Sequence, residues 1–581
     1  MVLVYKLSHY MSKRVVATIL GLLLLSTPLV SCGGSVPTPL RLVPIDLGLP
    51  PQALNAPTVG PLPDTTALHV SITFKVNQAI LNSLSNQKIQ PGHPSHLENL
   101  ANRIGISDAT YQKFKAFFNL QGISLKLSKL RTNLTINAKA KTFARLFQTH
   151  FVIHRLNGRT FYAPATPPKL PGFLASSIVA ITGLDNYSSS PQRWSHFQHF
   201  NKTRMLRRPG QDCNADPQTL LPKEVAHAYG YDSLWNQGLH GENMTVNLVE
   251  IDGFDQNDVQ NYLDCINFQG KVTVSDIDSP PTQALGESTL DIEMIAGLAR
   301  SINIADYETD GNTQGDVWTN VNDELQQIIN DNTNNASSGN VVSISLGDAE
   351  RDITSADRTA LDQSLQVLTK AEHMTVFVAS GDCGAFTDRV YRSLSVSFPA
   401  SDPWVVSVGG TELSINGGQN RVNEVVWSDG SNPLKCTNQW GSGGGNSVVF
   451  QRPNWQNAGG VNNQFSRGMR QIPDISAVAY GLAVYFQGQW GAVGGTSAAA
   501  PIWAAGSELV NEGLIKQVHK FAYSPQLFYL ADDNTNDLNA YFDVTRGNNL
   551  YYPATPGWDF STGLGTPNLP NFYRAISAKM G

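Results

Sequence analysis

The sequence predicts an α/β fold, a parallel sheet flanked by helices, with a smaller α+β domain in front of it. Three observations carry that expectation. From about residue 217 to the end, short apolar runs (MTVNLVEID, NVVSISLG, MTVFVAS, PWVVSVGG) alternate with helical stretches, the pattern of strands joined by crossover helices. Residues 66–165 instead mix strand-like and amphipathic segments in shorter units. The two regions also differ in charge: residues 66–190 hold 14 Lys and Arg against 3 Asp and Glu, and residues 191–581 hold 23 against 42. At 581 residues the chain has room for more than one domain. With 41% hydrophobic and 15% charged residues it is globular rather than disordered.

Taken in order, residues 1–32 read as a targeting segment. Lys13 and Arg14 precede the apolar run VVATILGLLLL, which is short for a membrane span and is followed at once by STPLVSCGGS. Leu29-Val30-Ser31-Cys32 resembles a bacterial lipobox, in which the cysteine takes the lipid; an ordinary secretory signal is the alternative. Met11 is an alternative start. Either way the protein is expected outside the cytoplasm, at the cell surface or beyond, lipid-anchored through Cys32 before processing. Residues 33–65 are Pro-rich and read as a tether.

The α+β domain, expected over residues 66–187, opens on the strand-like HVSITFKV. A long amphipathic stretch through LENLANRIGI and ATYQKFKAFFNLQGI follows, then LKLSKLRTNLTINA, KAKTFARLFQTHFVIHR and RTFYAP. Residues 165–216 read as loop-like, with PPKLPG, YSSSPQ and the basic NKTRMLRRPG, and residues 188–216 as an activation linker. A basic module can serve nucleic acid or an anionic membrane. Here the simpler partner is the remainder of the chain, whose net charge of −19 faces a net of +11. No nucleic-acid partner is expected, and a monomer is. If that attraction holds the halves together, acid should weaken it as carboxylates protonate.

Five cysteines are present: Cys32, Cys213, Cys265, Cys383 and Cys436. With Cys32 lipidated, four remain, an even number in an exported protein. Three pairings exist, and Cys213–Cys265 with Cys383–Cys436 is the favoured one. No Cys/His spacing suggests zinc.

Residues 494–501, GGTSAAAP, place Ser497 at a helix start, the setting of a nucleophile that needs a base. Of twelve histidines, eight precede residue 200; His227, His240, His373 and His519 lie in contexts that read as surface or structural. Carboxylates offer an alternative. In GESTLDIE, Glu287 and Asp291 are four apart and share a helix face. Like charges there hold a proton more tightly, which makes a usable acid and base in mild acid. Asp291 can orient Glu287 as a buried aspartate orients histidine. Alone the pair is weak evidence, since solvated helix faces often carry such acids. VFVASGDCG adds Asp382 on a turn after an apolar strand; protonated, it could donate to a developing oxyanion.

These residues carry a resemblance to the sedolisins, or serine-carboxyl peptidases, over roughly residues 66–578. Glu287 and Asp291 match the family's Glu-xxx-Asp, Ser380-Gly381-Asp382 its Ser-Gly-Asp turn, and Gly495-Thr496-Ser497 with Pro501 its Gly-Thr-Ser-xxx-Pro. FPASDPWVVSVGGTEL, GSGGGNSVVFQRPNWQ and RQIPDISAVA are similar flanking blocks. The resemblance implies a subtilisin-like catalytic domain over residues 217–581 and a ferredoxin-like inhibitory prodomain. Ser497 would be nucleophile, Glu287 base and acid, Asp291 its support, and Asp382 with the Ser497 N–H the oxyanion site. FDVTRGNN and ATPGWDFSTGLGTP match the family's calcium loop, with Asp543 and Asp559 offering carboxylates and Val544, Thr555 and Gly557 carbonyls to one structural Ca2+. Glu250 matches a glutamate that extends the acid network in some members, but Leu346 stands where those members have tryptophan.

The implied activity is an acid-acting endopeptidase on protein or peptide substrates, made as a zymogen that its own prodomain inhibits. A tripeptidyl aminopeptidase of the same family and a catalytically silent, surface-tethered binding protein are the alternatives.

Overall fold

The computed structural model describes residues 41–580, apart from 87–96, 120–122, 189, 194, 200–218, 335–339, 389–392, 418, 431–439, 520–522 and 533–537. The targeting segment and Cys32 lie outside the described residues. An eight-stranded sheet organises the larger domain. Its order is Lys271–Asp276, Asn303–Glu308, Thr245–Glu250, Val341–Ile344, Thr375–Ala379, Val406–Ile415 and Arg421–Val426, with Ile475–Val478 also pairing on Val406–Ile415. All pairings are parallel except that of Arg421–Val426. The central strands Val341–Ile344 and Thr375–Ala379 are buried at every residue, which is why they read as unbroken apolar runs. The edge strand Lys271–Asp276 is mostly exposed and polar.

Helices cover both faces. Glu287–Leu298 and Thr496–Val518 pack together on one face, and Val317–Asn334 and Ser355–Lys370 on the other. The helix Glu287–Leu298 is buried along its whole length, so the carboxyls on it are desolvated.

The smaller domain is a four-stranded antiparallel sheet ordered Lys126–Leu127, Asn133–Lys139, Ala67–Phe74 and Ile178–Thr182. Period-two alternation divides its two faces. Val70, Ile72 and Phe74 pack with Phe114, Phe118 and Phe143 of its own helices. His69, Ser71 and Thr73 take the opposite face, where His69 and Ser71 meet Asp323 on the helix Val317–Asn334 of the larger domain. The prodomain's Leu81, Leu84, Leu97, Ile104 and Leu130 join an apolar cluster with Trp318, Val321 and Leu325.

Two expectations need correction. Residues 41–65 are not a free tether. Leu42–Pro44 pairs with Lys169–Pro171, Thr58–Pro61 pairs with Phe151–Leu156, and Leu47, Ala53 and Ala56 are buried. The prolines that suggested a linker sit where proline is tolerated, on sheet edges and at the first turn of the short helix Pro51–Leu54.

The second correction concerns charge. Among the described residues the ion pairs that join the two domains are those of His69 with Asp323 (2.7 Å) and Asp278 (3.4 Å). Other contacts are mainly neutral hydrogen bonds, such as Gln363 Nε2 to the Phe74 carbonyl (2.6 Å) and Lys129 N to Asn330 Oδ1 (2.7 Å). Asp185 of the prodomain faces Asp357, which also contacts Asp316. Burial, then Asp357, pushes Asp185 up to about 8. Burial opposes charge on His69, but Asp323 and Asp278 outweigh it and lift the imidazole to about 9. Burial and Asp323 lift Asp278 to about 6. All three groups take up protons on docking, so each favours docking in acid and disfavours it as pH rises. His373, lowered to about 4 by burial under the prodomain and bonded to the Leu84 carbonyl, works the other way below pH 6.5. The balance opposes the expected acid release.

A Ser497→Ala chain nicked in the linker by an added protease is therefore expected to hold its prodomain more tightly at pH 5 than at pH 8, by size exclusion. Asp185→Asn should tighten docking by at least about tenfold at pH 8, and less at pH 5. Release promoted by acid would overturn this account.

The larger domain also buries Glu250, Glu293, Asp306 and Glu324, all held well above the usual carboxylate range first by burial. Glu372 and Glu508 are pushed to about 7 by the same cause. Their stabilisation is complete below about pH 4 and is lost as pH climbs through 7 and beyond. The melting temperature of Ser497→Ala should peak in mild acid and fall by about 5–10 °C by pH 8. A flat profile would contradict the burial of these acids.

Candidate active site

Two helices present the predicted catalytic groups, each starting after a glycine in the left-handed region: Gly286 (φ 109°) before Glu287 and Gly495 (φ 139°) before Thr496. Asp252 fixes the first of these starts. Its carboxylate accepts from the backbone N–H groups of Leu285 (2.8 Å), Glu287 (3.3 Å) and Ser288 (3.3 Å). Asp382 fixes the second, its Oδ1 accepting from Thr496 N (2.8 Å) and Thr496 Oγ1 (2.7 Å). The turn bearing Asp382 is itself clamped: Gly443 N donates to the Gly381 carbonyl (2.7 Å) and Gly441 N to that of Asp382 (2.8 Å).

The structure brings together Ser497, Glu287, Asp291 and Asp382, all fully buried. The Ser497 hydroxyl donates to the Ser345 carbonyl (3.2 Å). Glu287 is held well above its ordinary range by burial and then by Asp291, with the Ser195 and Ser497 hydroxyls opposing. Neither hydroxyl makes an aligned hydrogen bond to it. Such contacts are commonly loose before substrate is engaged. Asp291 is pushed up by burial, against hydrogen bonds from Ser345 and Glu250. Ser345 Oγ donates to Asp291 Oδ2 at 2.6 Å and lies 3.2 Å from the Ser497 carbonyl. Asp291 Oδ1 and both oxygens of Glu250 meet no ordinary donor; a proton on either carboxyl would give the other a partner.

A segment of the chain itself lies across these groups. Gln192–Arg193 pairs antiparallel with Gly347 and Leu346, and His196–His199 pairs antiparallel with residues 491–494. His196 Nε2 lies 2.8 Å from Asp382 Oδ2, close enough for an ion pair though not aligned as a hydrogen bond. The His196 ring stacks on Trp440, centroids 3.6 Å apart.

Sequence reading missed Ser345, Ser195, His196 and Trp440. Ser345 ends a buried strand as an ordinary small residue, and His196 sits in a stretch that reads as loop. Glu250, read as an outlying member of the acid network, does meet Asp291. Leu346, which stands where some members have tryptophan, is buried.

The C-terminal loop brings Asp543 and Asp559 together. Asp559 is pushed to about 7 by burial, against three backbone hydrogen bonds and with Asp543 adding to the rise. Among the described residues no lysine or arginine pairs with either acid. One exposed and one buried carboxyl, neither of them ion-paired among the described residues, beside the Val544, Thr555 and Gly557 backbone, fit a hard cation. Another group with metal-ligand spacing is His69, Asp278 and Asp323 at the domain interface, which the ion pairs already account for. Cys265 and Cys383 are disulfide-bonded; the favoured partners, Cys213 and Cys436, lie outside the described residues.

Comparison with known proteins agrees with this geometry. Residues 55–187 match the model of the pro-kumamolisin activation domain, and residues 281–520 that of the subtilase family. The chain is 30% identical to kumamolisin of Bacillus sp. (strain MN-32) over 425 residues, covering 69% of this chain and 70% of that protein. It is 28% identical to sedolisin of Pseudomonas sp. (strain 101) over 557 residues, 89% of each. The solved structure of Pseudomonas sedolisin, a serine-carboxyl proteinase complexed with pseudo-iodotyrostatin, superposes with a TM-score of 0.53 at 28% identity, over 64% of this chain and 100% of that one. With its activation domain, its subtilisin-like sheet and these relatives, the chain belongs to the sedolisin family of serine-carboxyl peptidases.

Proposed function

We propose that this chain is an acid-acting endopeptidase made as a self-activating precursor, with Ser497 as nucleophile. The observation that carries the reading is the pair of short strands Gln192–Arg193 and His196–His199, which pair with residues 346–347 and 491–494 beside Ser497 and Asp382. They occupy the cleft as a peptide substrate would.

In the reaction, Ser497 Oγ attacks the scissile carbonyl and Glu287 takes its proton. The oxyanion receives the Ser497 N–H and a protonated Asp382. Glu287 then protonates the departing amine, and water hydrolyses the acyl-enzyme. Asp291 holds Glu287, and Ser345 and Glu250 hold Asp291. The network needs protons to satisfy its own oxygens, which supports an acid working range.

The Asp543, Val544, Thr555, Gly557 and Asp559 loop would hold one Ca2+ as a structural ion. Export, with a lipid on Cys32, is supported by the lipobox-like sequence and by two disulfide-bonded cysteines, which suit an oxidising compartment.

Incubated at pH 3–5, the wild-type chain should cut itself. Ser497→Ala should stay intact with an unchanged circular dichroism spectrum, and Glu287→Gln should process at least about a hundredfold more slowly. A wild-type chain that survives prolonged acid would favour a binding protein instead. Chelation with EDTA should lower the melting temperature by about 5 °C, restored by added Ca2+; an unchanged transition would remove the ion.

A further inference from the structure

The prodomain and the catalytic domain meet at a group of metal donors that neither of them holds alone. His69 lies on the prodomain strand Ala67–Phe74, opposite Asn137 on Asn133–Lys139. Asn137 Oδ1 only accepts, so the ring nitrogen beside it, Nδ1, carries a hydrogen and donates at 2.7 Å. That bond fixes the ring, and Nε2 meets the catalytic domain. It lies 2.7 Å from Asp323 Oδ2, on the helix Val317–Asn334, and 3.4 Å from Asp278 Oδ2, on the loop after Lys271–Asp276. Asp323 is anchored through its other oxygen, which accepts from Ser71 Oγ (3.3 Å) and Asn133 Nδ2 (3.1 Å). An imidazole whose one N–H is held by a side-chain oxygen, with its second nitrogen against carboxylates, is oriented as metal-ligating histidines are.

In the ion-paired form a proton on Nε2 is the cation between the two carboxylates. The spacing also suits a divalent one. The three donor atoms lie within 4.8 Å of one another. Tetrahedral ligands at zinc's bond lengths stand about 3.3–3.4 Å apart. Asp278 is already at that distance, and Asp323 need draw back by only about 0.6 Å. One nitrogen with two oxygens suits a transition metal better than Ca2+ or Mg2+, which take oxygen throughout. A polar cavity of about 350 Å³ adjoins the group, lined by Asp278, Asp323, Asn133, Thr135 and Gln326, with room for a water as fourth ligand. Of the described residues that line it, only Lys126 is cationic. Glu324, next to Asp323 on the helix, is fully buried, and neither of its oxygens meets a hydrogen-bond partner among the described residues. This end of the interface is thus short of positive charge.

We propose that His69, Asp278 and Asp323 form a site for Zn2+ that ties the prodomain to the catalytic domain. The metal takes the place of the Nε2 proton, which leaves to solvent. It is held by His69 Nε2 and by one oxygen each of Asp278 and Asp323, with water completing the shell. No spacing in the sequence announces the site, because its ligands come from three separate segments. Since those segments belong to both domains, the complete site exists only in the docked state, and metal binding and docking strengthen each other. Free Zn2+ at a hundred times its dissociation constant tightens docking about a hundredfold. Zn2+ thereby restrains the prodomain through docking and not through the Ser497 site.

The test uses the full Ser497→Ala chain at pH 7.5, stripped of transition metals, saturated with Ca2+ and titrated with ZnCl2 in a calorimeter. One Zn2+ should bind per chain. His69→Ala and Asp278→Asn should each weaken that binding at least about a hundredfold, and Asn137→Ala, which removes only the support of the ring, about tenfold. Asp278 and Asn137 are exposed, so their variants decide the outcome even where circular dichroism shows His69→Ala to be unfolded. Co2+ in place of Zn2+ should give the visible absorption of a tetrahedral site, lost in the same variants. In the chain nicked in the linker, Zn2+ should delay loss of the prodomain on size exclusion, and Asp278→Asn should abolish the delay. Absence of zinc binding, binding that these variants leave unchanged, or binding with no effect on docking overturns the proposal. None of these measurements uses activity, so the peptidase reading stands or falls separately.

Discussion

The proton is the counter-ion on which this structure depends. Glu250, Glu287, Asp291, Asp306 and Glu324 are fully buried, and among the described residues no lysine or arginine is paired with any of them. An ionised carboxylate in that setting costs several kcal/mol. A neutral carboxyl costs far less and gains an O–H donor with which to satisfy its neighbour. Catalysis, stability and docking of the prodomain therefore all draw on one condition, that acid supplies the hydrogens the side chains lack. In a histidine-based site the base is neutral at rest and the supporting acid is ionised. Here the acid and its support are both carboxyls, and the site is assembled from groups that would repel each other in alkali.

The helix Glu287–Leu298 shows how the fold imposes this. Helices on a sheet surface usually keep a polar stripe in water. This one is closed in by the sheet, by Thr496–Val518 and by Pro222–Tyr229. Any acid placed on it is desolvated by architecture alone. Asp252 then caps its first turn, which sets Glu287 at the mouth of the buried network while leaving it within reach of the cleft.

Much of this was legible in the residues. The unbroken apolar runs marked the central strands, and the Ser497, Glu287, Asp291 and Asp382 motifs marked groups that do meet in space. Three things were not legible, each for a physical reason. Prolines at residues 44, 50, 51 and 61 read as linker because the sequence does not show whether a proline's missing N–H faces a sheet edge or solvent. The charge asymmetry read as an electrostatic clasp, yet the interface is made of neutral hydrogen bonds, an apolar cluster and a few titratable groups, because net charge says nothing of which residues touch. His196 read as loop because its role exists only when residues distant in sequence close over it.

The placing of Asp185 towards Asp357 has a consequence for the life of the molecule. Cutting the linker severs one covalent connection and leaves the docked surface as it was. The same acidity that arms the nucleophile also deepens the grip of the severed prodomain. A complex gripped in that way would be freed by digestion of the inhibitor rather than by simple dissociation, so the number of active molecules should grow autocatalytically once the earliest few have been cleared.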